Sequence, residues 1–152
     1  MKRQVNSRMC FVCGVENPIG LRLVFEEEGK QVWAEFTPRE EHQGFPGILH
    51  GGLTGTLLDE VMGRCLMAGG EERWMLSAKL EVRYRKPIPI GEPLTVMGEV
   101  VQDRGRLVET RGEIRLSDGC LAAQAKGIYI QTPQEMREKM ERELGDWQVW
   151  VG

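Results

Sequence analysis

The stretch GILHGGLTGTLLDEVMG, Gly47 to Gly63, constrains the fold more than any other part of this chain. It opens a single long apolar helix, expected over about 51–68 and closed by Gly69-Gly70 as a C-cap. Around it the pattern is that of strands. LRLVFEEEGKQVWAEFTP reads as a hairpin about a Glu-Gly-Lys turn, with Val32, Ala34 and Phe36 alternating with polar residues. REEHQGFPG is a loop. MLSAKLEVRYRKPI alternates with Leu76, Ala78, Leu80, Val82 and Tyr84 on one face. EPLTVMGEVVQDRG and RLVETRGEIRLSDG are joined by an Asp-Arg-Gly-Arg turn, and CLAAQAKGIYIQT follows. One apolar helix among strands must be covered by a sheet, which predicts an α+β domain with an antiparallel sheet wrapped around it.

Bulk properties narrow the function classes. The 152 residues suit one ordinary domain, and the chain shows no repeat, low-complexity segment or linker. A net charge of -3 argues against nucleic-acid binding. No apolar run approaches the roughly 18 residues that span a bilayer, so no membrane partner is expected. MKRQVNSRMC lacks the apolar core of a signal peptide, which predicts a cytoplasmic protein with its four cysteines reduced. Thr132-Pro133-Gln134-Glu135 reads as a capping box opening a short helix, with Met136, Met140, Leu144 and Trp147 at helical spacing. Trp147 and Trp150 are expected to anchor the tail.

The helix carries its own chemistry. At about 100° per residue, Leu53, Leu57, Val61, Arg64 and Cys65 share one stripe. Asp59 falls on the other side, among Gly52, Gly55, Thr56, Gly63 and Leu66, so the carboxylate has room beside it. Glu60 and Arg64 are expected to form an i,i+4 pair without chemistry. A carboxylate in so apolar a helix is either partnered or held for a purpose. At the other end, His50-Gly51-Gly52 is either a plain loop-to-helix turn or a carbonyl site. Glycine lets a ligand approach the unpartnered first N–H groups at the positive end of the helix dipole. Nine residues separate His50 from Asp59, about 13–14 Å of helix at 1.5 Å per residue. One carbonyl cannot touch both in a single chain. Two helices antiparallel about a two-fold axis would bring each Asp59 near the other copy's His50-Gly51-Gly52, which predicts a homodimer with two identical sites.

With these residues the sequence resembles the hotdog-fold acyl-CoA thioesterases of the phenylacetic-acid-pathway (PaaI-like) type. The resemblance rests on GILHGGLTGTLLDEVMG and SAKLEVRYRKPIPIGEPL, and on CFVCGVENPIGL, which is similar to a subset of that family; it covers about residues 10–131. It implies a hotdog domain over 1–152, with a Cys-x-x-Cys segment at 1–20 and a short helix and tail at 132–152. It also implies a dimer with one continuous sheet, often doubled to a homotetramer, and acyl-CoA hydrolysis at the dimer interface without a cofactor. Carried over by position, Asp59 is the general base for water or a nucleophile forming an anhydride. Gly51 N–H polarises the thioester carbonyl, His50 helps position it, Gly52 lies beside it, and Ser77 steers the water. Some relatives place an Asn where this chain has Gly44, with Gln43 beside it; either Gln43 substitutes or the polar contact is absent.

Ser77 has the opposite strand parity to Leu76 and Leu80, so it is expected off the apolar face, reaching a site only near the strand's start or at a subunit boundary. Arg83, Arg85 and Lys86 either meet the phosphates of CoA or form a solvated sheet face. Cys10 and Cys13 lack a second Cys pair, so a packed turn with reduced thiols is expected rather than a metal site. Two alternatives stand beside hydrolysis. One is an acyl-thioester dehydratase or hydratase, for which HQGFPG would supply His42 and the helix Glu60. The other is a non-catalytic acyl-CoA binder.

Overall fold

The computed structural model describes residues 2–70, 73 and 75–143, so Leu144, Trp147 and Trp150 lie outside the described residues. Seven strands form one sheet: β1 Lys2–Arg3, β2 Glu26–Glu28, β3 Gln31–Phe36, β4 Met75–Tyr84, β5 Leu94–Asp103, β6 Leu107–Leu116 and β7 Leu121–Gln131. Their spatial order is β1-β2-β3-β5-β6-β7-β4 and every pairing is antiparallel. Helix α1, Gly51–Cys65, packs on one face of this sheet, and α2, Gln134–Glu143, follows the last strand. This is the expected α+β hotdog layout.

Helix α1 buries more of its circumference than the sequence stripe suggested. Thr54, Leu57, Leu58, Val61, Met62, Arg64 and Cys65 are all buried, whereas Leu53 is only half-buried. The sheet reaches around the helix, from β3 through β7 to β4, so residues flanking the narrow stripe are enclosed as well. The helix also ends earlier than expected. From Leu66 to Ala68 the backbone bonds tighten to the residue three back, and Gly69 and Gly70 follow in the left-handed region at φ 84° and 83°.

Close approach of α1 to the sheet depends on glycine within the strands. Gly98 of β5 and Gly112 of β6 lie directly opposite each other beneath the helix. A Cβ at Gly98 would fall 2.9 Å from Cys65 Sγ and 3.0 Å from the Val61 carbonyl oxygen. The carbonyl belongs to the helix backbone and cannot turn aside. Gly98→Val is therefore expected to cost about 3 kcal/mol through overpacking, seen as a lower urea midpoint. A midpoint equal to that of the unmodified protein would show that α1 does not press on β5.

The edge strand β4 corrects one sequence reading. Its register against β7 slips between Ser77 and Lys79, leaving Ala78 as the extra residue of a bulge. Ser77 pairs with Tyr129, and beyond the bulge Leu80 pairs with Gly127, Val82 with Ala125 and Tyr84 with Ala123. Strict alternation through the bulge would put Ser77 and Tyr84 on opposite faces. The inserted residue reverses the parity, so Ser77, Leu80, Val82 and Tyr84 share the helix side, and Leu76 does not join them. Among the described residues nothing pairs with the other edge of β4, where Leu80 and Tyr84 remain 40% and 57% exposed.

The N-terminal segment packs as a turn. Gly14 N–H donates to Cys10 O at 2.8 Å, Leu21 N–H to Phe11 O at 2.8 Å and Leu23 N–H to Val12 O at 2.9 Å. All four cysteines are free thiols. Arg64 forms the expected i,i+4 pair with Glu60 and has further partners. It is only 2% exposed, its Nε donates to Glu60 Oε1 at 3.2 Å, its Nη1 donates to Val5 O, and its guanidinium lies 4.8 Å above the Phe25 ring. A buried guanidinium needs this many partners, and together they tie Val5 to α1. No described helix is long and apolar enough to cross a membrane.

Candidate active site

Asp59 is held from two strands. Ser77 Oγ donates to Asp59 Oδ1 at 2.7 Å, and Tyr129 OH lies 2.8 Å from both Asp59 Oδ1 and the Asp59 carbonyl oxygen. Burial and the adjacent carboxylate push the Tyr129 phenol up, so it remains a protonated donor. Both hydroxyls converge on one carboxylate oxygen. Among the described residues nothing hydrogen-bonds Oδ2, which is left for a water or a reacting carbon. Asp59 itself is half-buried, rather than an exposed surface acid. The sequence reasoning found Asp59 and Ser77 but missed Tyr129. The signal was a tyrosine alternating between Ile128 and Ile130 on the last strand, a polar-tipped residue on the buried face.

The other end of α1 forms a separate station. His50 is the N-cap, and its Nδ1 accepts from Gly52 N–H at 2.9 Å. Gly52 therefore spends its N–H on the cap, which narrows the expected glycine pair to Gly51. Among the described residues nothing accepts from Gly51 N–H. Tyr84 OH donates to Gly51 O at 2.7 Å and fixes the orientation of this first peptide. Tyr84 too was missed in that role, having been read only as part of the apolar row. The loop before the helix is braced by His50 N–H on His42 O at 2.9 Å, and by Gly47 N–H on Gln43 Oε1 at 3.0 Å.

An open cleft of about 830 Å³ joins several of the expected binding residues at this station. Gln43, His50, Gly51, Tyr84, Arg85 and Lys86 line it. Arg83 does not belong there. It pairs with Gln124 on the opposite parity from Val82 and Tyr84, and faces a hollow on the far side of the sheet with Glu81, Glu99 and Arg111. Of the three basic residues, only Arg85 and Lys86 stand together beside the glycine station.

Asp59 and Ser77 do not line that cleft. Within one chain the amide station sits at the N-terminus of α1 and the carboxylate station near its middle, nine residues after His50. The two residues named for dehydratase chemistry each have other partners. His42 Nδ1 accepts from Arg39 N–H at 2.9 Å and its ring packs 5.4 Å from Phe36. Glu60 is engaged with Arg64 and lies 3.8 Å from Cys10 Sγ.

This pairing of a loop-capped glycine helix with an antiparallel sheet has known relatives. Residues 46–123, just over half the chain, match the family model described as Thioesterase superfamily. The chain belongs to the Thioesterase superfamily. A solved structure titled as a thioesterase superfamily protein superposes with a TM-score of 0.75 at 35% identity, covering 81% of this chain and 63% of that one. Acyl-coenzyme A thioesterase THEM4 of Bos taurus is 24% identical over 137 residues, 88% of this chain and 56% of its own length. Acyl-coenzyme A thioesterase 13 of Homo sapiens is 29% identical over 126 residues, 82% of this chain and 89% of its own. The chain thus spans little more than half the length of the THEM4 relative. These matches agree with the PaaI-like resemblance of the helix motif.

Proposed function

We propose that this superfamily member hydrolyses acyl-CoA thioesters at two equivalent sites, each shared by two copies of the chain. The observation that carries this is the one-sided anchoring of Asp59, with Ser77 and Tyr129 on Oδ1 and Oδ2 unengaged. That is the arrangement a water-activating carboxylate requires.

The bulge in β4 supports the shared site. Ser77 marks the Asp59 station and Tyr84 the Gly51 station, and both face the helix side of one exposed edge strand. Residues opposed in an antiparallel pair share a face. Pairing β4 with a second copy, about a two-fold axis between the two stations, sets each Asp59 beside the other copy's Gly51. The pairing also covers Leu80 and Tyr84 and makes the two sheets continuous.

At such a site the thioester carbonyl oxygen accepts from Gly51 N–H at the positive end of α1, while Arg85 and Lys86 attract the CoA phosphates. Asp59 takes a proton from water as the oxygen attacks the carbonyl carbon. The tetrahedral intermediate collapses with cleavage of the C–S bond, and the departing thiolate recovers the proton. The products are the free acid and CoA thiol. His50 holds its ring against Gly52 N–H and lines the mouth beside the reacting carbonyl.

The test is free-thiol release from short, long and aryl acyl-CoAs. Turnover of at least one class at a kcat in the ordinary range of about 1–10³ s⁻¹ is expected. Tight binding without thiol release would make the chain a binder. Hydration of an enoyl thioester without thiol release would make it a hydratase.

A further inference from the structure

A second cluster of reactive groups gathers around Glu60, the next residue of α1 after Asp59, and takes no part in the chemistry above. We propose that Cys10, Cys13 and Glu60 form a binding site for one divalent cation of the zinc class, with Arg64 holding the carboxylate in place.

The geometry is that of a ligand set. The two thiols and one Glu60 oxygen lie within 4.8 Å of one another, and Cys10 Sγ is 3.8 Å from Glu60 Oε1. Tetrahedral zinc with bonds of about 2.3 Å to sulfur and 2.1 Å to oxygen sets its ligand atoms roughly 3.6–3.8 Å apart. Small side-chain movements complete the site. The fourth position opens toward solvent, since Cys10 and Glu60 are only half-buried, and water fills it.

The turn is built to carry charge on sulfur. Val12 N–H donates to Cys10 Sγ at 3.4 Å and Ser7 N–H to Cys13 Sγ at 3.5 Å. Such N–H···S bonds are a common outer shell for metal thiolates. Gly14 closes the turn, and a Cβ there would lie 2.3 Å from Cys10 O, so no larger residue fits. Arg64 Nε on Glu60 Oε1 orients the third ligand from the helix.

Charge balance points the same way. Deprotonated, the three ligands carry three negative charges; Arg64 and a divalent ion supply three positive ones. Binding the ion releases the ligands' protons to solvent. A dithiol that cycles to a disulfide would need neither Glu60 nor the last-turn arginine that aims it.

Cobalt(II) titration of the reduced full chain tests this without reference to activity. One equivalent is expected to give a thiolate-to-cobalt charge-transfer band with the visible bands of tetrahedral cobalt, and zinc should displace it. Cys10→Ser and Cys13→Ser should each abolish the two-thiolate spectrum. Glu60→Gln should retain the charge-transfer band while weakening binding at least about tenfold. One equivalent of zinc should raise the melting temperature of the unmodified protein, but not that of the doubly substituted Cys10→Ser, Cys13→Ser chain. Absence of the band at stoichiometric cobalt would overturn the proposal, whether or not the variants fold. So would a zinc-induced melting shift that survives in the double variant, or cobalt affinity unchanged by Glu60→Gln. Rapid formation of a Cys10–Cys13 disulfide in a chain that binds no cobalt would replace it with a redox pair.

Discussion

Asp59→Asn should lower kcat for thioester hydrolysis at least about 10²-fold, and by as much as 10⁴-fold, while the chain stays folded. Asparagine keeps the shape of the side chain and one carbonyl-type oxygen, so Ser77 and Tyr129 retain an acceptor. What is lost is the ability to take a proton from water. Because the carboxylate acts on the water rather than on the bound thioester, the effect should fall on kcat with KM little changed. Ser77→Ala should cost less, since Tyr129 still holds Oδ1. Steady-state kinetics with the best acyl-CoA of the panel decides the matter. An Asp59→Asn chain that turns over at the unmodified rate would remove Asp59 from the mechanism.

Gly51→Pro should be comparably severe, at about 10²–10³-fold in kcat, the usual cost of deleting one oxyanion donor. Proline suits this position structurally. It is the first residue of α1, where no intrahelical N–H bond is lost, and His50 already has the extended ψ of 132° that a following proline demands. A Cβ at Gly51 meets only the Tyr84 ring at an ordinary 3.6 Å. The variant therefore subtracts the N–H and little else.

Mixing the two inactive variants under conditions of subunit exchange makes the pair diagnostic. If each site takes Asp59 from one copy and Gly51 from the other, half the dimers are mixed and each has one intact site. Activity should then return to about a quarter of the unmodified value. A site contained in one chain would show no recovery, because every chain carries one lesion.

The sequence made much of this layout legible because its elements are defined by short-range pattern. The alternation in 94–103 and 107–116 and the glycine-opened apolar helix all appeared where the periodicity placed them. Asp59 stood out because a carboxylate is costly in an apolar helix unless it is partnered. The readings that failed depended on distant parts of the chain. Ser77 was assigned to the wrong face because alternation counts residues and cannot see that Ala78 is an insertion relative to β7, a fact that belongs to the pairing. Arg64 was legible only as the i,i+4 partner of Glu60, because that spacing carries no information about Val5 or Phe25 arriving above it. Tyr129 reaches Asp59 across 70 positions, and Glu60 meets Cys10 across 50.

By itself, the sequence determined the period of each element, the place of the helix, and the distance between its amide end and its carboxylate, since these follow from rise per residue and local hydrophobic spacing. Only the tertiary structure decided which oxygen of Asp59 is engaged, which side of β4 Ser77 faces, which basic residues share the cleft, and that two cysteines meet a glutamate. Those outcomes depend on strand register and helix-to-sheet packing, which are set by the summed burial of residues far apart in the chain rather than by any neighbour in sequence.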